Sequence, residues 1–203
     1  MRGLILTLLA MCLAVPAAAD QVTASWSPSG GDPFELDLGV SGAAGRGQSF
    51  RPEIEGILRS VTVHLARLGG DGATIRVGVH RVDMLGLPVS PGLVERTFPI
   101  EVAPGGNATV PVEFDLSGSG VLLETDTNYA LTVLVTPVAP DAALRIAGAL
   151  FENANYPLGM ALGSSTGEGW GTSSHVDFAF EVRIGNTVAR ESRSIGAIKR
   201  MFQ

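Results

Sequence analysis

From residue 56 onward the sequence alternates. In Ile57-Leu58-Arg59-Ser60-Val61-Thr62-Val63-His64-Leu65, apolar Val61, Val63 and Leu65 interleave with Thr62 and His64. Side chains of an extended chain point to opposite faces in turn, so this run is a strand with one apolar face. The pattern recurs. Ile75, Val77 and Val79 alternate with Arg76 and His80; Val112, Phe114 and Leu116 with Glu113 and Asp115. Tyr129, Leu131, Val133 and Val135 share a side, as do Phe178, Phe180, Val182 and Ile184. Turn residues separate the runs: Gly69-Gly70-Asp71-Gly72, Pro104-Gly105-Gly106-Asn107, Ser117-Gly118-Ser119-Gly120, and Pro137 with Pro140. Further strands are expected over Leu93 to Val102, edged by Pro99, over Val121 to Leu123 and over Leu144 to Ile146. No window between 20 and 185 carries the 3.6-residue period of an amphipathic helix. About nine short strands at this spacing predict an all-β fold, an antiparallel β-sandwich or barrel, with two one-faced sheets packed together.

The N-terminus is of another kind. Arg2 is followed by an apolar stretch from Leu4 to Val15, then Pro16 and Ala17-Ala18-Ala19. A charged start, a short apolar run and small residues before a cut form a secretory signal peptide, too short to span a bilayer. Cleavage after Ala19 is expected, which makes the protein secreted, periplasmic or cell-surface. The one cysteine, Cys12, lies inside that leader and follows Met11, where lipidation would need a small residue. The exported chain is thus expected to lack both thiols and disulfides.

The whole sequence has a net charge of −6, with 14 Lys+Arg against 20 Asp+Glu, and Lys199 is its only lysine. Loss of Arg2 with the leader leaves the remainder one unit more acidic. Without a cationic excess to neutralise phosphates, no nucleic-acid partner is expected. Hydrophobic residues make up 45% of the chain, enough to build a packed core. The expected organisation is a signal peptide (1–19), an N-terminal strand and loops (20–46), a sandwich domain (47–185) and a basic tail (186–203). In the tail, Arg190, Arg193, Lys199 and Arg200 outnumber Glu191, and Ile195, Ile198 and Phe202 form a helical stripe. Such a segment suits docking to an anionic surface, or it frays as a terminus.

Several segments resemble the bacterial exported domains called choice-of-anchor domains, the R-type member most nearly. They are Gly47-Gln48-Ser49-Phe50 ahead of Gly56-Ile57-Leu58-Arg59-Ser60-Val61-Thr62-Val63-His64-Leu65, then Leu123-Glu124-Thr125-Asp126-Thr127-Asn128-Tyr129-Ala130-Leu131. The third is an aromatic-glycine loop with Tyr156, Gly159, Gly163 and Trp170 before Asp177-Phe178-Ala179-Phe180. The resemblance covers about residues 47–185. It implies a jelly-roll-like sandwich and brings no catalytic residues. No LPxTG-like sorting signal or hydrophobic sorting helix accompanies it here.

Catalytic and metal patterns are few. His64, His80 and His175 have no metal-ligand spacing, although His64 and His80 could meet across adjacent strands. Gly163-Ser164-Ser165-Thr166-Gly167 lacks the strand-to-helix setting of a nucleophile elbow. Asp71, Asp115, Asp126 and Asp177 follow no calcium-loop spacing, so calcium is conceivable without a motif behind it. Asn107-Ala108-Thr109 matches a glycosylation acceptor and reads as a turn entering a strand. No cofactor is expected. Residues 152–175 draw the most interest, being long, Gly/Ser/Asn-rich and without pattern, yet holding Tyr156 and Trp170. Loops of this length in compact domains are functional or disordered. An aromatic ring flanked by Asn153, Asn155 and Glu168 suits a sugar, whose C–H face stacks while its hydroxyls bond the polar groups. Trp170 folded back as a plug over the sandwich is the competing arrangement. The expected function is a non-catalytic module that binds a polysaccharide or cell-surface component. The alternatives are a surface-matrix protein docked by its tail and, less favoured, a hydrolase with paired carboxylates or a histidine–acid pair.

Overall fold

A computed structural model describes residues 20–28, 34–38, 44–67, 74–99, 108–136, 144–150 and 154–185. The leader, the basic tail, Asp71 and Asn153 lie outside the described residues. Fourteen strand segments run in order: β1 (Gln21–Trp26), β2 (Phe34–Leu38), β3 (Gly45–Phe50), β4 (Gly56–Arg67), β5 (Thr74–Arg81), β6 (Val94–Pro99), β7 (Val110–Asp115), β8 (Leu122–Leu123), β9 (Tyr129–Thr136), β10 (Leu144–Leu150), β11 (Ala161–Ser164), β12 (Trp170–Ser173), β13 (Val176–Phe178) and β14 (Phe180–Gly185). A single residue, Ala179, separates the last two, which otherwise read as one strand. All pairings between them are antiparallel. One sheet follows the order β1-β14-β4-β10-β13, with β2 on β10 and with β7 and β8 on β4. The other has six strands in the order β12-β11-β3-β9-β5-β6. The protein is an all-β sandwich. Among the described residues no helix is long and apolar enough to cross a membrane.

The alternation explains the core. Val61, Val63 and Leu65 of β4, Ile75, Val77 and Val79 of β5, and Tyr129, Leu131, Val133 and Val135 of β9 are all buried between the sheets. So are Phe178, Phe180, Val182 and Ile184. Phe50 sits at the centre, its ring centroid 5.9 Å from Tyr129 and 6.0 Å from Phe180. Side chains also tie the sheets together. Gln48 on β3 donates its amide to Asp177 Oδ1 on β13 at 2.8 Å, and its own Oε1 accepts from Phe178 N at 3.0 Å. Arg96 on β6 reaches the carbonyls of Asp115 and Ser117 at 3.2 and 2.8 Å, beside the Phe98–Phe114 ring pair at 5.0 Å. Buried amide–carboxylate bonds of this kind fix the sheets' relative placement, since slippage would strand their polar atoms.

Two expectations change and one is extended. The sandwich has more strands than the nine expected, because short Gly-, Ser- and Pro-containing segments pair as well. The expected N-terminal strand is present as β1, paired with β14, and β2 pairs with β10, so both belong to the sandwich itself. The stretch 152–175 is not one structureless loop, since β11 and β12 form a hairpin on β3. Two four-residue strands are too brief for alternation to show. They can dock because Gly45 of β3 leaves room for Trp170, whose Cη2 would lie 3.0 Å from a Cβ there.

Candidate site: a tryptophan-walled cleft on the six-stranded sheet

Register builds this site. Across the outer face, Trp170 (β12), Ser164 (β11), Gly45 (β3), Leu134 (β9), Arg76 (β5) and Thr97 (β6) form one row of paired residues. The next row runs Thr172, Leu162, Gly47, Thr132, Gly78 and Glu95. Glycine at 45 opens space for the tryptophan: a Cβ there would lie 3.0 Å from Trp170 Cη2. The ring rests partly buried over Gly45 and Leu134. On the far side, glycines 78 and 92 make the slot for His80. A Cβ on Gly78 would meet His80 Nε2 at 2.7 Å, and one on Gly92 would meet Cε1 at 2.9 Å. Between the β11–β12 hairpin and the 82–93 loop lies a cleft of about 390 Å³. Trp170, Gly167 and Glu168 form one wall, Arg76, His80 and Glu95 the other, and Pro88 and Ser90 one end.

The entrance loops are held by their own polar groups. Ser164 Oγ accepts from Gly167 N at 2.8 Å, and Thr166 Oγ1 accepts from Glu168 N at 3.3 Å. On the other side Asp83 Oδ1 accepts from Leu85 N and Leu87 N at 2.8 and 2.9 Å, an Asx-type turn. Gly86, at φ 80°, completes that turn, where a side chain would be strained.

His80 is buried, with Nε2 2.9 Å from Thr132 Oγ1 and Nδ1 3.3 Å from the Val89 carbonyl. Glu95 Oε1 is 3.6 Å from Nε2, and Glu95 Oε2 is 3.8 Å from Arg76 Nη1. Burial lowers the His80 pKa below the ordinary 6.5; the Val89 carbonyl and Glu95 oppose the shift, and Arg76 adds to it. The ring is therefore neutral at pH 7. As pH falls below about 6.5, the unfolded chain takes up a proton that the folded ring still refuses. Stability is thus expected to fall with pH through the window below 6.5, and His80→Gln should shrink that fall. Urea midpoints of both proteins at pH 7.5 and 5.5 measure the difference; equal pH slopes would refute it.

The residues expected to bind ligand separate. Trp170 and Glu168 share the cleft. Tyr156 does not: it is buried, edge-on to Phe180 at 5.2 Å and 83°. Burial pushes its phenol up to about 12. Its amide donates to Asp177 Oδ2 at 2.9 Å, which draws the segment into the core. Asn155 is exposed on another flank, where its Oδ1 accepts from Trp26 Nε1 at 3.2 Å. His64 and His80 do not meet, because β4 and β5 belong to opposite sheets. Asp177 is a buried structural acceptor, and among the described residues no cluster of three or more His, Cys, Asp or Glu could hold a metal. Sequence reasoning placed Arg76 and His80 on an outer face but missed the cleft around them. Glu95 faces Gly78 only through the β5–β6 register, which the intervening 12-residue connection hides.

Fold and cleft define a class: a β-sandwich protein carrying a tryptophan-walled polar cleft on one outer face. No protein-family model matches the chain, and no curated protein is significantly similar to it.

Proposed function

We propose that this is an exported, non-catalytic module of the choice-of-anchor kind that binds a neutral polysaccharide in the Trp170 cleft. The observation that carries the reading is an aromatic wall facing carboxylate and guanidinium groups across a cleft of about 390 Å³. An indole offers an apolar face to sugar C–H groups, and Glu168, Glu95 and Arg76 bond hydroxyls. With His80 neutral, two carboxylates outweigh one guanidinium, so a polyanion is disfavoured and a neutral glycan is not. Trp170→Ala should weaken retention of the protein in gels containing a soluble β-glucan or xylan by about tenfold in Kd, the equivalent of one lost stacking contact. Retention that survives the substitution would refute the assignment.

Glycoside hydrolysis is a second reading, favoured by Glu95 and Glu168 lining one cleft, since two carboxyl groups flanking a glycosidic bond are what that chemistry needs. His80 contributes little to it, because both ring nitrogens already have partners inside the fold. Release of reducing ends from the same glycans, lost in Glu168→Gln, would favour hydrolysis over binding alone.

A further inference from the structure

The connection from β5 to β6 is 12 residues long, where a hairpin ordinarily takes about 2–5. It reads Val82-Asp83-Met84-Leu85-Gly86-Leu87-Pro88-Val89-Ser90-Pro91-Gly92-Leu93, with six large apolar side chains and a single charge. Surface connections are normally polar, so an apolar one is a fault or a function. Backbone bonds make this one a finger. Leu93 N donates to the Val79 carbonyl at 2.8 Å, Val89 N to the Arg81 carbonyl at 2.8 Å and Asp83 N to the Leu87 carbonyl at 2.9 Å. Val82 and Pro88 bridge between them. The turn at the end, closed by the Asp83 carboxylate and Gly86, holds Met84 and Leu85 out in solvent. Met84 is fully exposed and Leu85 is 70% exposed.

A neighbour widens the tip. A Cβ on Gly86 would lie 3.4 Å from Met160 Cε, and Met160 is exposed as well. Its backbone is fixed on β3, where its N–H donates to Ser49 Oγ at 2.8 Å and its carbonyl accepts from Ser49 N at 2.9 Å. Charge sits behind this apolar cap. Asp83 is the finger's one ionisable group, and its Oδ1 is taken by two amides. Arg81 is exposed two residues back, roughly 7 Å along the strand, and makes no ion pair among the described residues. An apolar tip with a free cation that far behind it matches the depth profile of a phospholipid surface, acyl chains beneath a layer of phosphates. It matches a protein pocket less well. A stable protein interface takes about 800 Å² from each partner, and a two-residue convex tip offers only a fraction of that. Lipids need no complementary shape, because they close around what enters.

We propose that Met84 and Leu85 insert into the interface of a phospholipid bilayer, with Met160 at the edge of the contact and Arg81 on the phosphates. The docking is reversible, since two side chains bury little area. Backbone order in the finger means that little entropy is lost on insertion. None of these four residues lines the Trp170 cleft, so this assignment and the proposed function stand or fall separately.

Flotation of the full chain with phosphatidylcholine vesicles tests it, on a surface of no net charge that gives the basic tail little to bind. The parent should float at millimolar lipid. The double variant Met84→Ser, Leu85→Ser should partition at least tenfold less, the effect of two apolar side chains lost. Both side chains lie in solvent, so the variant keeps its fold, which near-UV circular dichroism verifies. Leu122→Ser removes an exposed leucine from the opposite sheet and should leave partitioning unchanged. Met84→Trp should add an emission that bromine-labelled acyl chains quench. A parent that does not float, flotation that survives the double substitution, or an equal loss in Leu122→Ser overturns the proposal. So does a parent that ignores vesicles yet captures a protein which the double variant does not, since the tip would then fill a protein pocket. Retention of the double variant in glycan gels reads the Trp170 cleft alone.

Discussion

Phe50→Ala is expected to cost about 4 kcal/mol of folding stability, the range for emptying a buried phenylalanine. Phe50 has no exposed surface, and its ring touches both Tyr129 on one sheet and Phe180 on the other. Its loss opens a void that the strands cannot close, because each is pinned by its ladder. For a chain of this size the melting temperature should drop by roughly 8–16 °C. Phe50→Leu keeps most of the volume and should cost about 1–2 kcal/mol. Calorimetry or urea denaturation decides. An alanine variant within 1 kcal/mol of the parent would mean that the two sheets do not meet around this ring.

The second large effect belongs to a polar pair. Asp177→Ala removes the acceptor for both Gln48 Nε2 and Tyr156 N, and both donors are buried. Two stranded donors should cost about 3 kcal/mol, against a smaller gain from no longer burying a carboxylate. That carboxyl lies above the ordinary carboxylate range because burial raises it, while the Tyr156 amide and Gln48 side chain pull it back. Asp177→Asn preserves shape but turns one acceptor into a donor facing Gln48, so it should lose less than alanine yet remain below the parent. Urea midpoints order the three proteins; an alanine variant as stable as the parent would remove the pair from the account. Loss of the pair should also loosen the 154–156 segment, visible as faster hydrogen exchange at Tyr156.

These two predictions show what was legible. Alternation placed Val61, Val63 and Leu65, and Phe178, Phe180, Val182 and Ile184, on buried faces, since period 2 is a local property of the chain. The segments that resemble choice-of-anchor domains turn out to touch. Gln48 meets Asp177 across 129 positions of sequence, and Phe50 meets Phe180. No spacing rule reports such a pairing, because it depends on which strands become neighbours. The β11–β12 hairpin was hidden for the opposite reason. Its four-residue strands carry glycine and serine where a pattern would need apolar residues, and their order comes from β3.

The site was half legible. Trp170 and Glu168 stand out because an aromatic in a long polar stretch is unusual, and the structure places both along one cleft. Tyr156, a few residues from that hairpin, went to the core because Asp177 binds its amide and Phe180 its ring. Arg76, His80 and Glu95 were invisible as a group, since β5 and β6 bring them together only in the sheet. His80 illustrates the limit of facing-outward arguments. It points away from the core, as alternation predicts, yet the Glu95 side chain and the 82–93 loop cover it.

The central claim is that the cleft between the β11–β12 hairpin and the 82–93 loop takes a glycan against Trp170. Heteronuclear NMR of the isotope-labelled protein, titrated with a neutral gluco-oligosaccharide or xylo-oligosaccharide, tests it most directly. The account predicts saturable shifts of the Trp170 indole N–H together with the amides of Gly167, Glu168, Gly78 and His80. Those signals standing still at glycan concentrations that saturate retention of the protein on the parent polysaccharide would contradict it.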